Sequence, residues 1–119
     1  PEQASSVTSK LYEKYHAGWV IAEDNVGGDM LSDVIRLSNE SINVHLVTAI
    51  VSKRHRANPV AFRYEKGQVS HFGVLSRLEY QMCVWTEDEK FSPDRMDALV
   101  HVLRFLFNIE SKKLEIFSF

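Results

Sequence analysis

Cysteine is nearly missing from this sequence: Cys83 is the only one, so no intramolecular disulfide can form and no cysteine-based zinc cage can be built. A reducing cytoplasm is the compartment this fits. Long apolar runs are missing as well. None exceeds four residues, as at Trp19–Ala22, against the roughly 20 needed to span a bilayer, and no basic, apolar, small-residue leader opens the chain. The expectation is a protein that neither spans a membrane nor leaves the cell. Charge of one sign is lacking too. The 14 Lys and Arg are set against 16 Asp and Glu, net −2, which excludes nucleic-acid binding by overall charge and leaves any anionic partner to a local patch. Repeats, low-complexity tracts and linkers are wanting, and 45% apolar with 25% charged residues is the composition of one ordinary globular domain over residues 1–119. The start at Pro1 without an initiator methionine is what a fragment or a processed chain would show.

What is present is an alternation of patterns. Val7, Leu11 and Tyr15 at spacing i, i+4, i+8 predict an amphipathic helix over 4–16, stopped by Gly18. Trp19–Ala22 is too short for a helix and reads as a strand buried on both faces, as in a mostly parallel sheet. Gly27 and Gly28 then lead into a helix carrying Met30, Leu31, Val34 and Ile35, and Ile42–Val51 reads as a second strand. Arg54–Lys66 is helical with a Gly67 stop, its start blurred by Pro59. Gln68–Val74 is a short strand candidate; Leu75, Leu78, Met82 and Trp85 mark another helix. A charged loop, Thr86–Phe91, precedes Ser92, Pro93 and Asp94, which suit the N-cap, N1 and N2 positions of a last helix with the stripe Met96, Leu99, Val100, Leu103 and Phe107. Leu114–Phe119 is a short strand or an ordered tail. The alternation predicts an α/β domain with right-handed crossovers.

No Walker-type phosphate loop, GxGxxG or GxSxG motif occurs, so nucleotide hydrolysis, dinucleotide binding and serine-hydrolase chemistry have no motif support. The chemistry left is that of carboxylates. Glu23 follows a predicted strand, where open α/β sheets gather ligands, and Asn25, Gly27 and Gly28 beyond it permit close approach of an anion; the same residues also make a plain polar turn. Asp94, Asp97 and His101 are predicted along one polar face of the last helix. Oxygen-rich acidic sites select Mg²⁺ or Mn²⁺, while acids in a first helical turn also simply favour the helix dipole. Lys53, Arg54, His55, Arg56 and Arg63 form the one concentrated basic patch, suited to a phosphate backbone or equally to a solvated helix face. His16, His45 and His71 show no metal-ligand spacing.

Read together, Ile21-Ala22-Glu23-Asp24-Asn25-Val26-Gly27-Gly28-Asp29-Met30, Lys53-Arg54-His55-Arg56-Ala57-Asn58-Pro59-Val60, Tyr64-Glu65-Lys66-Gly67, His71-Phe72-Gly73, Leu78-Glu79-Tyr80-Gln81-Met82 and Ser92-Pro93-Asp94-Arg95-Met96-Asp97-Ala98-Leu99 resemble the C-terminal nuclease domain of the large terminase subunit of tailed bacteriophages. The likeness runs in order from about Pro1 to Phe107. It implies a ribonuclease H-like fold and a metal-dependent DNA endonuclease that cuts concatemeric viral DNA during genome packaging, with three acids holding two Mg²⁺ or Mn²⁺ ions. Glu23 matches the carboxylate after the fourth strand of that fold and Asp97 the acid on its final helix. Asp94 falls where some members carry a further ligand, and Lys53, Arg54 and Arg56 fall in a segment expected to face DNA. Double-stranded DNA is the implied substrate, the small terminase subunit and the portal are partners of the whole subunit, no membrane is involved, and the implied location is the cytoplasm of a bacterial host, for a phage or prophage product.

The resemblance also implies what this stretch does not carry: the ATPase motor domain and the antiparallel strands bearing the family's first metal-binding aspartate. The expected fold is therefore a partial one, weak or inactive in cleavage by itself, with the Trp19–Ala22 edge open to self-association or covered by Leu114–Phe119. Two other readings remain at this point. One is a non-catalytic, degenerate prophage fragment that binds DNA or a partner; the other is a small α/β binding domain for an unassigned ligand.

Overall fold

A computed structural model describes residues 2–24 and 30–109. Its elements are α1 (Glu2–Lys14), β1 (Val20–Glu23), α2 (Met30–Ser38), β2 (Val44–Val47), α3 (Lys53–Glu65), α4 (Ser76–Val84) and α5 (Asp94–Leu106). The class is α/β, with five helices and one two-stranded parallel sheet among the described residues. Where composition marked no boundary, the chain gathers into two units, Pro1–Ile50 and Val51–Phe119.

The first unit is built on a β-α-β run. β1 pairs with β2 in parallel, Val20 opposite Val44 through Glu23 opposite Val47, and the ladder is extended by Val20 N–H to Asn43 O and Asp24 N–H to Val47 O, both 2.8 Å. All eight strand residues are half-buried, which corrects the expectation of a strand covered on both faces: two strands make too little sheet to be sandwiched. The second strand is also shorter than Ile42–Val51, although Ile42, just outside it, is only 2% exposed.

α1 corrects a second expectation. Its Val7, Leu11 and Tyr15 are exposed, and the face that meets α2 carries Ser5, whose hydroxyl accepts from Ser38 Oγ at 2.9 Å. Thr8, Ser9 and Tyr12, on the same face at helical spacing, are half-buried. Small hydroxyl residues let two helices approach closely, so period alone picked out the wrong stripe. Asn39 Nδ2 adds a bond to Glu13 Oε1 at 3.2 Å. Asn25, Gly27 and Gly28 lie outside the described residues, as does Leu114–Phe119; among those described, β1 pairs with β2 alone.

The second unit is three helices around an apolar centre of Val60, Met96, Val100 and Leu103, with Tyr64, Met82, Trp85, Leu99 and Phe107 packed against it. The stripe predicted for the last helix is the one observed. α3 starts at Ser52, whose Oγ accepts from His55 N–H at 3.3 Å, and it runs on through Pro59. It ends at Glu65, and beyond the Lys66 cap the chain turns at Gly67, where φ is +70°, a left-handed conformation that glycine adopts without strain. Arg63 closes the end of the core by lying over the Phe107 ring, 4.6 Å from its centre. Gln68–Val74 forms a loop rather than the expected strand. Met82 of α4 and Trp85, just after it, face the core while Leu75, placed just before the helix, is 44% exposed.

The start of α5 is shifted by one residue from expectation, with Pro93 at the N-cap and Asp94 first in the helix. Ser92 does not cap, because its hydroxyl donates to Asp94 Oδ1. The acceptor comes instead from α4: Gln81 Oε1 takes Arg95 N–H at 3.0 Å and Met96 N–H at 3.1 Å. His101, expected on the polar face, is buried at 7% exposure; what surrounds each turn, and not side-chain polarity, decides burial along a helix.

Candidate functional site

The acid predicted on the last helix and the cations predicted to grip DNA meet in the second unit. Asp97 stands in the first turn of α5, its amide donating to Pro93 O at 2.8 Å. Its Oδ2 holds Lys53 Nζ at 3.1 Å, and its Oδ1 faces Arg56 Nη2 at 4.0 Å. α3 packs along α5, and that packing is what brings groups so distant in sequence together. A helix N-terminus is the positive end of the macrodipole, so three cations in the first turn of α3 with no acid among them is unfavourable unless anions face them. Asp97 answers Lys53 and Arg56, and Glu87 answers Arg54 at 3.4 Å.

The two cations on Asp97 differ in kind. Arg56 has only 8% of its side chain exposed and donates through Nη1 to Val51 O as well, so it is fixed from two directions. Lys53 is 39% exposed and tethered by its single ammonium. Asp97, at 16%, is sheltered but still reachable from solvent.

The other two expected ligands are Asp94, in the same unit, and Glu23, in the first. Asp94 begins α5 and is exposed, with Ser92 on its carboxylate. Glu23 ends β1 in the first unit, half-buried and opposite Val47. Among the described residues no three His, Cys, Asp or Glu are grouped so as to hold an ion. Asp97 and Glu23 each offer carboxylate oxygen, and Asp97 already gives its own to two cations. Carboxylate oxygen is the donor type that Mg²⁺ and Mn²⁺ take, several to one ion.

A second cluster was not legible beforehand. Tyr64 Oη and His71 Nε2 are 2.8 Å apart, and His71 Nδ1 lies 3.5 Å from Glu79 Oε2, so one imidazole joins α3 to α4 across the loop between them. Glu79 Oε2 also accepts from Leu75 N–H. That amide holds the Glu79 carboxyl below the usual carboxylate range, with His71 adding to the effect. Burial, with the nearby Glu79 charge, pushes the Tyr64 hydroxyl up. No spacing rule flags three polar residues spread over a helix end, a loop and the next helix. Beside them a largely apolar cavity of about 360 Å³ lies between the helices, lined in part by Tyr64, Met82, Trp85, Met96 and Leu99.

Compared with protein-family models, with curated proteins and with solved structures, the chain matches none. No helix among the described residues is long and apolar enough to cross a membrane.

Proposed function

We propose that this chain is part of the nuclease domain of a phage terminase large subunit, with a ribonuclease H-like fold, and that it serves the hydrolysis of DNA phosphodiesters. The observation that carries the reading is the joining of Asp97 to the basic start of α3, which sets a cation-seeking carboxylate among groups suited to phosphate. In the second unit Asp97 is the residue that would hold Mg²⁺ or Mn²⁺, with Asp94 in support; in the first unit it is Glu23, by the same resemblance. A bound ion pair would supply the activation of a water and the stabilisation of the leaving oxygen. The chain's own part is positioning. Lys53, half-buried, and Arg54, exposed, at the helix start bind backbone phosphates, each contact steepening the salt dependence of affinity, while Arg56, fixed to Val51, orients the Asp97 carboxylate.

The test is Mn²⁺-dependent nicking of supercoiled plasmid, by this chain and by one extended upstream through an aspartate-bearing strand. Nicking lost in Glu23→Ala and Asp97→Ala, by at least a hundredfold, is the expected result. One observation favours a second reading, a non-catalytic module of the same kind that binds DNA: Asp97 is already neutralised within the fold. Tight, salt-dependent DNA binding with no cleavage by either chain would decide for it.

A further inference from the structure

α4 and the start of α5 form a groove whose charge is of one sign. Arg77 and Tyr80, three residues apart on α4, share one face of that helix. Phe91, from the loop ahead of α5, and Arg95, in its first turn, complete the walls of a recess of about 370 Å³. Past the two arginines the groove runs on beside Leu75, Leu78 and Ala98. The protein as a whole is net negative, yet no acid lines either stretch, although Asp88, Glu89 and Asp94 stand close in sequence. Among the described residues neither guanidinium has an ion-pair partner, whereas Lys53, Arg54 and Arg56 are each matched by a carboxylate. The occupant this selects is an anion.

The rings narrow the choice. Tyr80 is 67% exposed and Phe91 39%, so two aromatic faces stand open to solvent in the same recess as two unmatched cations. An acidic peptide would satisfy the arginines but brings no flat faces for the rings. A nucleic-acid strand supplies both, a phosphate at every step and a base beside it. In a duplex the bases are already stacked on one another, so aromatic side chains take them from an unpaired strand. We infer that this groove binds single-stranded nucleic acid: Tyr80 and Phe91 stack on bases, and Arg77 and Arg95 hold the neighbouring phosphates. It shares no residue with the Asp97 cluster and uses no metal, so it goes beyond the nuclease reading and does not depend on it.

The experiment follows the fluorescence anisotropy of a short labelled oligothymidylate titrated with the whole chain, without divalent metal. Tyr80→Ala or Phe91→Ala is expected to weaken binding by about fivefold or more, the loss of one stacked base. Arg77→Gln combined with Arg95→Gln is expected to flatten the slope of log affinity against log salt by about 1.4, the share of two single-strand phosphate contacts. All four positions are exposed, where substitution costs little stability. In the wild type, the ring proton signals of Tyr80 and Phe91 are expected to move upfield as oligonucleotide is added, a readout that needs no variant to fold. A duplex bound as tightly as the single strand, or binding indifferent to both ring variants, overturns the stacking. Single-strand binding that falls with Lys53→Ala and Arg54→Ala but not with the groove variants moves the strand to the start of α3 and overturns the assignment. Displacement of the oligonucleotide by poly-glutamate at equal charge gives the groove to an acidic protein segment instead, and no binding at low salt refutes the proposal outright. None of these outcomes bears on metal-dependent nicking, which tests the nuclease reading separately.

Discussion

The two units of this chain are held together by different chemistry. In residues 51–109 the helices close on a connected apolar centre, Val60, Met96, Val100 and Leu103. In residues 2–50 the buried apolar side chains among those described are Ile35 and Ile42, and Ser5 and Ser32 are buried as well, with a hydroxyl contact between α1 and α2 and an amide contact from Asn39, just after α2, to α1. The first unit leaves Val7, Leu11, Tyr15, Met30 and Leu37 exposed. Apolar burial is the dominant favourable term in folding, while a net hydrogen bond contributes only about 1 kcal/mol. The lesson is that the carboxylate with a prepared environment, Asp97, sits on the unit that has its own core, whereas Glu23 is carried by a short strand in the unit that has less of one.

One substitution made twice is the strongest way to break that comparison. Leu103→Ala should cost about 2–5 kcal/mol by urea unfolding, because it opens a cavity in the only connected core described. Leu11→Ala, on the exposed side of α1, should stay within about 0.5 kcal/mol. Equal losses would mean that Leu11 is buried in solution and that α1 has a partner face. A smaller effect is expected from Ser5→Ala, about 1 kcal/mol, since it leaves Ser38 without its acceptor; a neutral result would show that close helix approach, and not the hydroxyl bond, holds α1 to α2.

The smallest effect concerns pH and sharpens the picture of the second unit. Glu79 is held below its ordinary value when folded. A carboxyl depressed on folding adds stability that is fully present above its unfolded pKa, about 4.3, and that fades as pH falls through the lower folded value. The melting temperature of the wild type should therefore exceed that of Glu79→Gln above about pH 5, and the gap should narrow as the pH falls below that. A gap that widens in acid would reverse the sign and remove the Leu75 amide as its cause.

How much of this was legible in the sequence depends on the range of the interaction. The α5 stripe was legible because Met96, Val100 and Leu103 fall at helical spacing and are apolar. The α1 stripe misled because helical period says which residues share a face, and apolarity then selected the face that stays in water. Gln68–Val74 read as a short strand candidate, yet His71 within it is tied to Tyr64 and Glu79, a tertiary contact that no local pattern encodes. In the candidate site, the side chains of interest were named from sequence, Asp97 on its helix and Lys53, Arg54 and Arg56 in their patch. What sequence did not offer was their pairing. Acid and base were assigned to separate partners, metal and DNA, and the packing of α3 on α5 joins them to each other.

The Gln81 amide has a consequence for how the second unit comes apart. Its carbonyl oxygen clasps two successive N–H groups of α5 from a different helix, so the opening turn of α5, Asp97 included, does not fray one residue at a time as free helix ends do. Release of that turn is thereby coupled to the Gln81 side chain and so to α4. The height of the Asp97 carboxylate along its helix is thus indexed by a side chain on a neighbouring element, much as a scale is read from a pointer mounted on a separate arm. Displacement of α4, for instance by something seated in the cavity beside Trp85, would be transmitted to that carboxylate as a change in position while its chemistry stayed the same.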